Sequence, residues 1–324
     1  MIDPKYLLDF EKPIAELYKK IGDLKKLARG GDINMEEETR AMEERIDALR
    51  TEIYSRLSPN QIVAVSRHPL RPTALDHIAL IFDSFTELHG DRNFGDDKAM
   101  IGGTAVLNGI PVMVIGQQKG KSTKDNIYRN FGMAHPEGYR KALRLMQMAE
   151  KFKRPVITLV DTTGAYPGIG AEERGQAEAI ARNLREMSNL KVPVITVIIG
   201  EGGSGGALGI GIGNRVLMFE FATYSVISPW GCASILFKDS GKAPEAAENL
   251  KLTANDLLGL KVIDEIIKEP VGGAHNDHKT ASENLKTALI NNLNVLLAMT
   301  EDDILKDRYG KFRSFGEFIE ELHD

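Results

Sequence analysis

The chain has 324 residues, 42% of them hydrophobic, a single cysteine and a formal charge of −5. This length and apolar content support a large folded core, and Cys232 alone excludes an intramolecular disulfide framework and a cysteine-cluster metal site, as in a reducing compartment. The acidic balance gives no reason to expect nucleic acid or an anionic membrane as the main partner; residues 1–10 lack a signal-peptide core and no stretch has the apolar length of a membrane span, so a soluble cytoplasmic protein is expected.

From residue 7 to 57, Ile14, Leu17, Ile21, Leu24 and then Met42, Ile46, Leu49, Ile53 recur at helical spacing, predicting two helices with Gly30-Gly31-Asp32 as the turn. So narrow a hairpin buries little surface, and its apolar stripe is expected to dock on the main body or on another subunit. Residues 1–57 therefore read as a helical hairpin and 58–324 as the main domain. Residues 58–71, with Pro59 and Pro69, read as a linker.

Asn108-Gly109 between the apolar runs 104–107 and 111–116 predicts a β-hairpin. A helix over 138–152, a buried strand 156–160, a loop 161–170 and a helix 171–187 follow. The next round runs through a strand 194–199, a glycine loop, a short helix and strands 216–220 and 223–227, before a helix over 277–299 and a charged tail. Repeated strand-strand-helix units bury their faces only when stacked, which predicts a layered α/β core with its loops gathered at one end.

Eight of the 31 glycines fall within residues 200–213, directly after the apolar run 192–199. Without Cβ atoms, such a segment can take positive φ, turn N–H groups toward a bound oxygen and let a ligand approach the main chain. Tight packing of elements is the plain alternative. Gly200, Gly202 and Gly205 fit a dinucleotide fingerprint with Glu220 as the ribose acid, although Gly209, Gly211 and Gly213 interrupt any crossover helix. Gly202-Gly203-Ser204-Gly205-Gly206 also fits a nucleophile elbow, with Asp264 and His275 in the chain order of a serine hydrolase. A Walker loop fails because Ala207 stands where lysine is needed. The third reading is an oxyanion hole of backbone N–H groups at a strand-to-helix turn, suited to thioester enolate chemistry and needing no side-chain nucleophile.

A second glycine-bearing turn, residues 161–170, follows another buried strand and leads into the helix start Ala171-Glu172-Glu173-Arg174, whose acids complement the helix dipole. If the two strands are neighbours, both helix starts face one cleft that welcomes anionic groups. Lys119, Lys121, Lys124, Arg129, Arg140, Lys141 and Arg144, interleaved with Tyr128, Phe131 and Tyr139, read either as a phosphate- or nucleotide-binding face or as a solvated one.

Several strings together resemble the α subunit of bacterial acetyl-CoA carboxylase carboxyltransferase: Leu8-Asp9-Phe10-Glu11, Glu87-Leu88-His89-Gly90-Asp91-Arg92, Arg129-Asn130-Phe131-Gly132-Met133, Pro136-Glu137-Gly138-Tyr139-Arg140-Lys141, Gly164-Ala165-Tyr166-Pro167-Gly168, Glu172-Glu173-Arg174-Gly175-Gln176 and residues 200–208. They stand in order along essentially the whole chain. The resemblance implies a crotonase/ClpP-like superhelix of ββα units behind an N-terminal helical hairpin, and transfer of a carboxyl group from carboxybiotin on its carrier protein to acetyl-CoA, giving malonyl-CoA for fatty acid synthesis. It implies a β-chain partner in an α2β2 assembly, with zinc on the β chain and no metal here. ATP is used by a separate biotin carboxylase.

Carried over residue by residue, the resemblance places an oxyanion hole for the biotin carbonyl on Gly205 and Gly206, with the acetyl enolate held by the β chain. Gly202, Gly203, Gly164, Ala165, Tyr166, Lys119 and Arg129 are further candidates for substrate contact. Two positions depart from the family's usual text: Trp230 stands where glutamate is usual and Thr163 where proline is usual. A serine hydrolase using Ser204 and a non-catalytic scaffold of the same fold remain the rival readings.

Overall fold

The structure, a computed structural model, describes residues 6–28 and 36–316. Two helices open it, α1 (Lys12–Ala28) and α2 (Glu36–Tyr54), and the expected turn at Gly30-Gly31-Asp32 lies outside the described residues. Their stripes face each other: Ile14, Ile21 and Ile46 are buried among Leu17, Tyr18, Met42, Leu49 and Ile53. The hairpin thus covers its stripe within itself, and its open end meets the body. There Tyr54 packs with Val65 and Phe221, its ring 5.5 Å from that of Phe221. Glu11, 2% exposed, accepts the Leu8 N–H at 2.9 Å and the Tyr54 hydroxyl at 3.1 Å, closing the open end.

The expected linker instead contains a helix, α3 (Pro59–Ser66), followed by α4 (Ala74–Ile81). Ser58 and Gln61 form a reciprocal cap, and Pro59 occupies the first turn, where a missing N–H costs nothing, so proline starts the helix rather than breaking the chain. Strand β1 (Ser84–Glu87) pairs antiparallel with β2 (Met100–Leu107), which turns at Asn108-Gly109 into β3 (Ile110–Gln117). Both turn residues have positive φ, 49° and 77°, as a two-residue hairpin requires.

After α5 (Thr123–Tyr128) and α6 (Pro136–Lys151), β4 (Val156–Thr162) lies parallel to β3. The helix predicted over 171–187 is two helices, α7 (Ile169–Glu173) and α8 (Gln176–Ser188), because Gly175 at φ 81° breaks the first. Strand β5 (Val194–Gly203) is parallel to β4 and runs into α9 (Ser204–Leu208). Strands β6 (Arg215–Phe219) and β7 (Thr223–Ser225) both pair with β5, and β8 (Glu265–Ile267) pairs with β6. Between β7 and β8 lie α10 (Pro229–Leu236), α11 (Ala243–Leu250) and α12 (Ala254–Gly259); α13 (His278–Leu297) and α14 (Glu301–Arg313) close the described chain.

The sheet order among the described residues is β1-β2-β3-β4-β5-β6-β8, antiparallel at β1–β3 and parallel from β3 onward. β4 and β5 are its centre and read almost wholly buried, the pattern of a strand covered on both faces. One continuous core runs from Ala74 through both strands to Ile304. No helix among the described residues is long and apolar enough to cross a membrane.

Candidate functional site

Because β4 and β5 are parallel neighbours, their C-terminal turns leave the sheet side by side. Gly206 packs so closely under the β4 turn that a methyl group there would stand 2.4 Å from the Gly164 carbonyl carbon and 2.5 Å from Ala165 N. One at Gly203 would stand 2.2 Å from the Thr163 carbonyl oxygen, and one at Gly200 2.5 Å from an Asp161 carboxylate oxygen. These glycines exist for close backbone approach. None of the glycines in 200–213 has positive φ, contrary to the sequence expectation; the left-handed residue of the turn is Ser204, at φ 53°. Gly200 to Gly203 are strand residues rather than loop. Gly205 differs from its neighbours, since a methyl group on it would meet only Ile180, at 3.8 Å.

The first turn of α9 leaves its amides without intrahelical acceptors, and among the described residues the N–H groups of Gly205 and Gly206 have no other acceptor. The carbonyls beside them are engaged: Gly205 O accepts the Gly209 N–H at 3.0 Å, and Gly206 O accepts Gln117 Nε2 at 2.7 Å and the Tyr139 hydroxyl at 3.3 Å. Two open donors at the end of a strand, backed by fixed carbonyls, form a site for a partial negative charge.

A chain of charges lies beneath the turns. Lys119, just past β3, reaches Asp161 at 2.8 Å and Glu201 at 2.7 Å; Glu201 also accepts Arg67 Nε, and the Glu201 N–H donates to Asp161 at 3.0 Å. Burial alone would push Lys119 toward its neutral form, but the Asp161 and Glu201 carboxylates outweigh it and hold the ammonium above the ordinary lysine value. Burial likewise opposes the Glu201 charge, and Lys119 and Arg67 hold that carboxyl below its usual range. The Arg67 guanidinium stacks on Trp230, its carbon 4.4 Å from the ring centre. Trp230 thus offers a π face to the arginine that anchors Glu201. Thr163 lines the small cleft beside Arg67, Glu201, Gly202 and Gly203, so both unusual positions border the same network.

The other predicted site residues divide. Gly202, Gly203, Gly164, Ala165, Gly205 and Gly206 come together at the paired turns. Tyr166 donates its N–H to Ala134 O at 3.0 Å and stacks on His135 with 4.1 Å between ring centres, which fixes the β4 turn from outside. Arg129 donates to Lys98 O at 2.9 Å and lies 5.4 Å over the Tyr128 ring. Most of the basic stretch is likewise committed within the chain: Lys121 pairs with Asp76, Arg140 with Asp91, and Lys141 with Asp96, while Arg144 bonds the carbonyls of His89 and Gly90. Of that stretch Lys124 is exposed and, among the described residues, without an ion-pair partner. Gln117, Arg67, Asp161 and Glu201 were not singled out from the sequence. The available signal was a carboxylate amid glycines and a polar pair, Gln117-Gln118, ending a buried strand.

The hydrolase reading fails on geometry. Asp264 accepts the Val216 N–H and the Lys311 ammonium, and His275 stacks on His68 with 3.8 Å between ring centres. Neither reaches Ser204. Burial, aided by His68, pushes His275 down to about 2, which removes it as a base near neutrality. The dinucleotide reading fails too, since Gly200 and Gly202 lie within β5, and Glu220 is held by Lys268 and the Glu269 N–H.

Residues 7–316 match the family model described as acetyl co-enzyme A carboxylase carboxyltransferase-like. The α subunit of acetyl-coenzyme A carboxylase carboxyl transferase from Staphylococcus haemolyticus is 58% identical over 97% of this chain and 100% of its own length. That of Geobacter metallireducens is 58% identical over 98% of this chain and 99% of its own. The chain belongs to this family. Among solved structures, a Pseudomonas malonate decarboxylase hetero-tetramer in complex with coenzyme A aligns with 67% of this chain and 87% of its own, TM-score 0.56 at 17% identity. Transcarboxylase 12S aligns with 65% of this chain and 41% of its own, TM-score 0.52 at 23% identity. Both likenesses concern the fold alone, the crotonase-like α/β fold expected from the sequence.

Proposed function

We propose that this chain is the α subunit of an acetyl-CoA carboxylase carboxyltransferase, working in the cytoplasm with a β chain in an α2β2 assembly. In this reading it moves the carboxyl group of carboxybiotin, presented on a carrier protein, to acetyl-CoA. The observation that supports it most directly is the pair of open amides, Gly205 and Gly206, at a turn whose carbonyls are tied back.

In the proposed chemistry the N–CO2 bond of carboxybiotin breaks to release CO2 and leave a ureido anion with negative charge on its oxygen; the ureido nitrogen takes the proton from the acetyl methyl group, and the enolate carbon so formed attacks CO2 to make the new C–C bond. The amides of Gly205 and Gly206 would donate to that ureido oxygen. Donors fixed before the reaction lower the barrier without reorganising during it. No acid–base side chain is required of this chain, consistent with the buried, ion-paired state of Asp161 and Glu201. The acetyl enolate is assigned to amides of the β chain, as is the zinc; ATP belongs to a separate biotin carboxylase.

The test mixes the purified chain with a β chain and measures biotin-dependent exchange between malonyl-CoA and acetyl-CoA. Activity is expected in the mixture and none with either chain alone. Turnover by this chain alone, or labelling of Ser204 by a serine-directed phosphonate, would overturn the reading.

A further inference from the structure

We infer that Gln117 is a positioning residue for carboxyl transfer, holding Gly206, and with it the open Gly206 amide, in place at the α9 turn; this rests on the oxyanion reading proposed above. Gln117 is the last residue of β3 and has no exposed surface. The backbone ladder between β3 and β4 ends at Gly116 and Leu159, and beyond it the Gln117 side chain takes over. Its Oε1 accepts the Asp161 N–H at 3.1 Å, and its Nε2 donates to Gly206 O at 2.7 Å. One buried amide therefore ties the end of β4 to the turn after β5.

The need for such a tie follows from Gly205-Gly206. Glycine has no Cβ to restrict φ and ψ, so two in succession leave a turn free to rotate. Each peptide is planar, and its N–H points opposite the carbonyl of the preceding residue. Gly205 O, bonded to the Gly209 N–H, fixes the plane that carries the Gly206 N–H. Gly206 O, bonded to Gln117 and Tyr139, fixes the next plane. Gly206 is thus held between two pinned planes, the first carrying its own N–H and the second the Ala207 N–H, so Gln117 steadies the Gly206 N–H by limiting φ and ψ at Gly206. Tyr139 is the weaker tie, at 3.3 Å. A buried glutamine with both ends engaged is also costly to leave half-paired, which accounts for its pairing at both termini.

The assay is exchange in the assembled complex with the β chain, with free biotin as acceptor and malonyl-CoA as donor. Gln117→Leu removes the tie at similar volume; kcat is expected to fall about ten- to a hundredfold, the range for small misplacement of a reacting group, with KM for malonyl-CoA unchanged within about twofold. Gln117→Glu is isosteric and carries the test should the leucine variant not fold. Only its protonated carboxyl both accepts from Asp161 and donates to Gly206 O, so its kcat should rise toward the wild-type value as pH falls and drop as pH rises, an added titration absent from the wild type. A folded, assembled Gln117→Leu complex with wild-type kcat, or a Gln117→Glu pH profile superimposable on the wild type, overturns the inference. Gly206→Val in the same assay separates the two levels: activity surviving there sinks the oxyanion reading itself, whereas its loss beside an active Gln117→Leu sinks only the role of Gln117.

Discussion

A methyl or larger group at Gly206 tests whether the two turns must touch. The added Cβ would lie 2.4 Å from Gly164 C, 2.5 Å from Ala165 N and 2.8 Å from Gly164 O, all backbone atoms that cannot rotate away. Restoring ordinary contact requires the turns to part by roughly 1 Å, and a displacement of that size at a reacting centre costs about a hundredfold in rate, or about 2.7 kcal/mol. Loss of one oxyanion donor gives a similar figure. Gly206→Val should therefore cut kcat at least a hundredfold, and Gly206→Ala nearly as much. Gly205 supplies the control, because its Cβ would meet only Ile180 at 3.8 Å and its φ is ordinary. Gly205→Ala should fold and assemble with unchanged thermal stability, so whatever it loses in exchange activity reports on close approach of substrate. Exchange kinetics and melting curves of the assembled complexes decide the matter. Wild-type kcat in Gly206→Val would refute the reasoning, and so would a Gly205→Ala chain that unfolds.

Ser204→Ala should keep most activity, and Ser204→Gly should raise stability by about 1 kcal/mol, because φ 53° costs any residue with a Cβ roughly that much; an inactive alanine variant would return the hydroxyl to the mechanism. Buried His77 and His275 sit at about 3 and about 2, both lowered first by burial, while their unfolded counterparts titrate near 6.5. Below pH 6.5 the unfolded chain binds protons that the fold refuses, so stability should be level above that value and fall on acidification toward pH 3, by on the order of 2 kcal/mol per histidine at pH 5; a denaturation midpoint unchanged from pH 7.5 to 5 would contradict this. Trp230→Glu exchanges an arginine–ring stack for an exposed ion pair with Arg67, two interactions of about 0.5–1 kcal/mol, so stability should hold and exchange activity should be equal or higher. A large loss of activity with intact folding would show that the Arg67–Glu201 pair depends on the ring.

What the sequence made legible was local. Asn108-Gly109 announces its hairpin because few other pairs tolerate two positive φ angles in succession, and near-continuous apolar runs such as 194–199, broken only by Thr196, mark strands covered on both faces. Errors arose where one residue type serves two purposes. Proline at 59 looks like a breaker but starts α3 behind a Ser58 cap, and Gly175 looks tolerable within a helix but splits α7 from α8. The glycine run was correctly located, yet its cause was mistaken, since packing distance rather than φ demands most of those residues. The network beneath the turns escaped for another reason. Lys119, Arg67 and Glu201 are separated by 82 and 134 positions, and no local pattern links a lysine to a carboxylate so distant.

That network also bears on how a backbone site can hold an anion in a chain rich in carboxylates. Asp161 and Glu201 lie near the C-terminal ends of the two central strands, close to the paired turns where the open amides stand. Unpaired, they would place two negative charges under a developing third and oppose it. Lys119 and Arg67 bring the sum of the four to zero, and Lys119 does so by bridging both carboxylates from the end of β3. A buried pair of this kind contributes little net stability and costs several kcal/mol when one partner is removed, so its value lies in what it neutralises and fixes. With the side-chain charges cancelled, the field at the turn is left to oriented peptide dipoles, whose direction is set by Gly209 on one carbonyl and by Gln117 and Tyr139 on the other. On the proposed reading no nucleophile or base is needed at Ser204: this half of the site would contribute position and sign of field, and the glycines stand where a side chain would obstruct both.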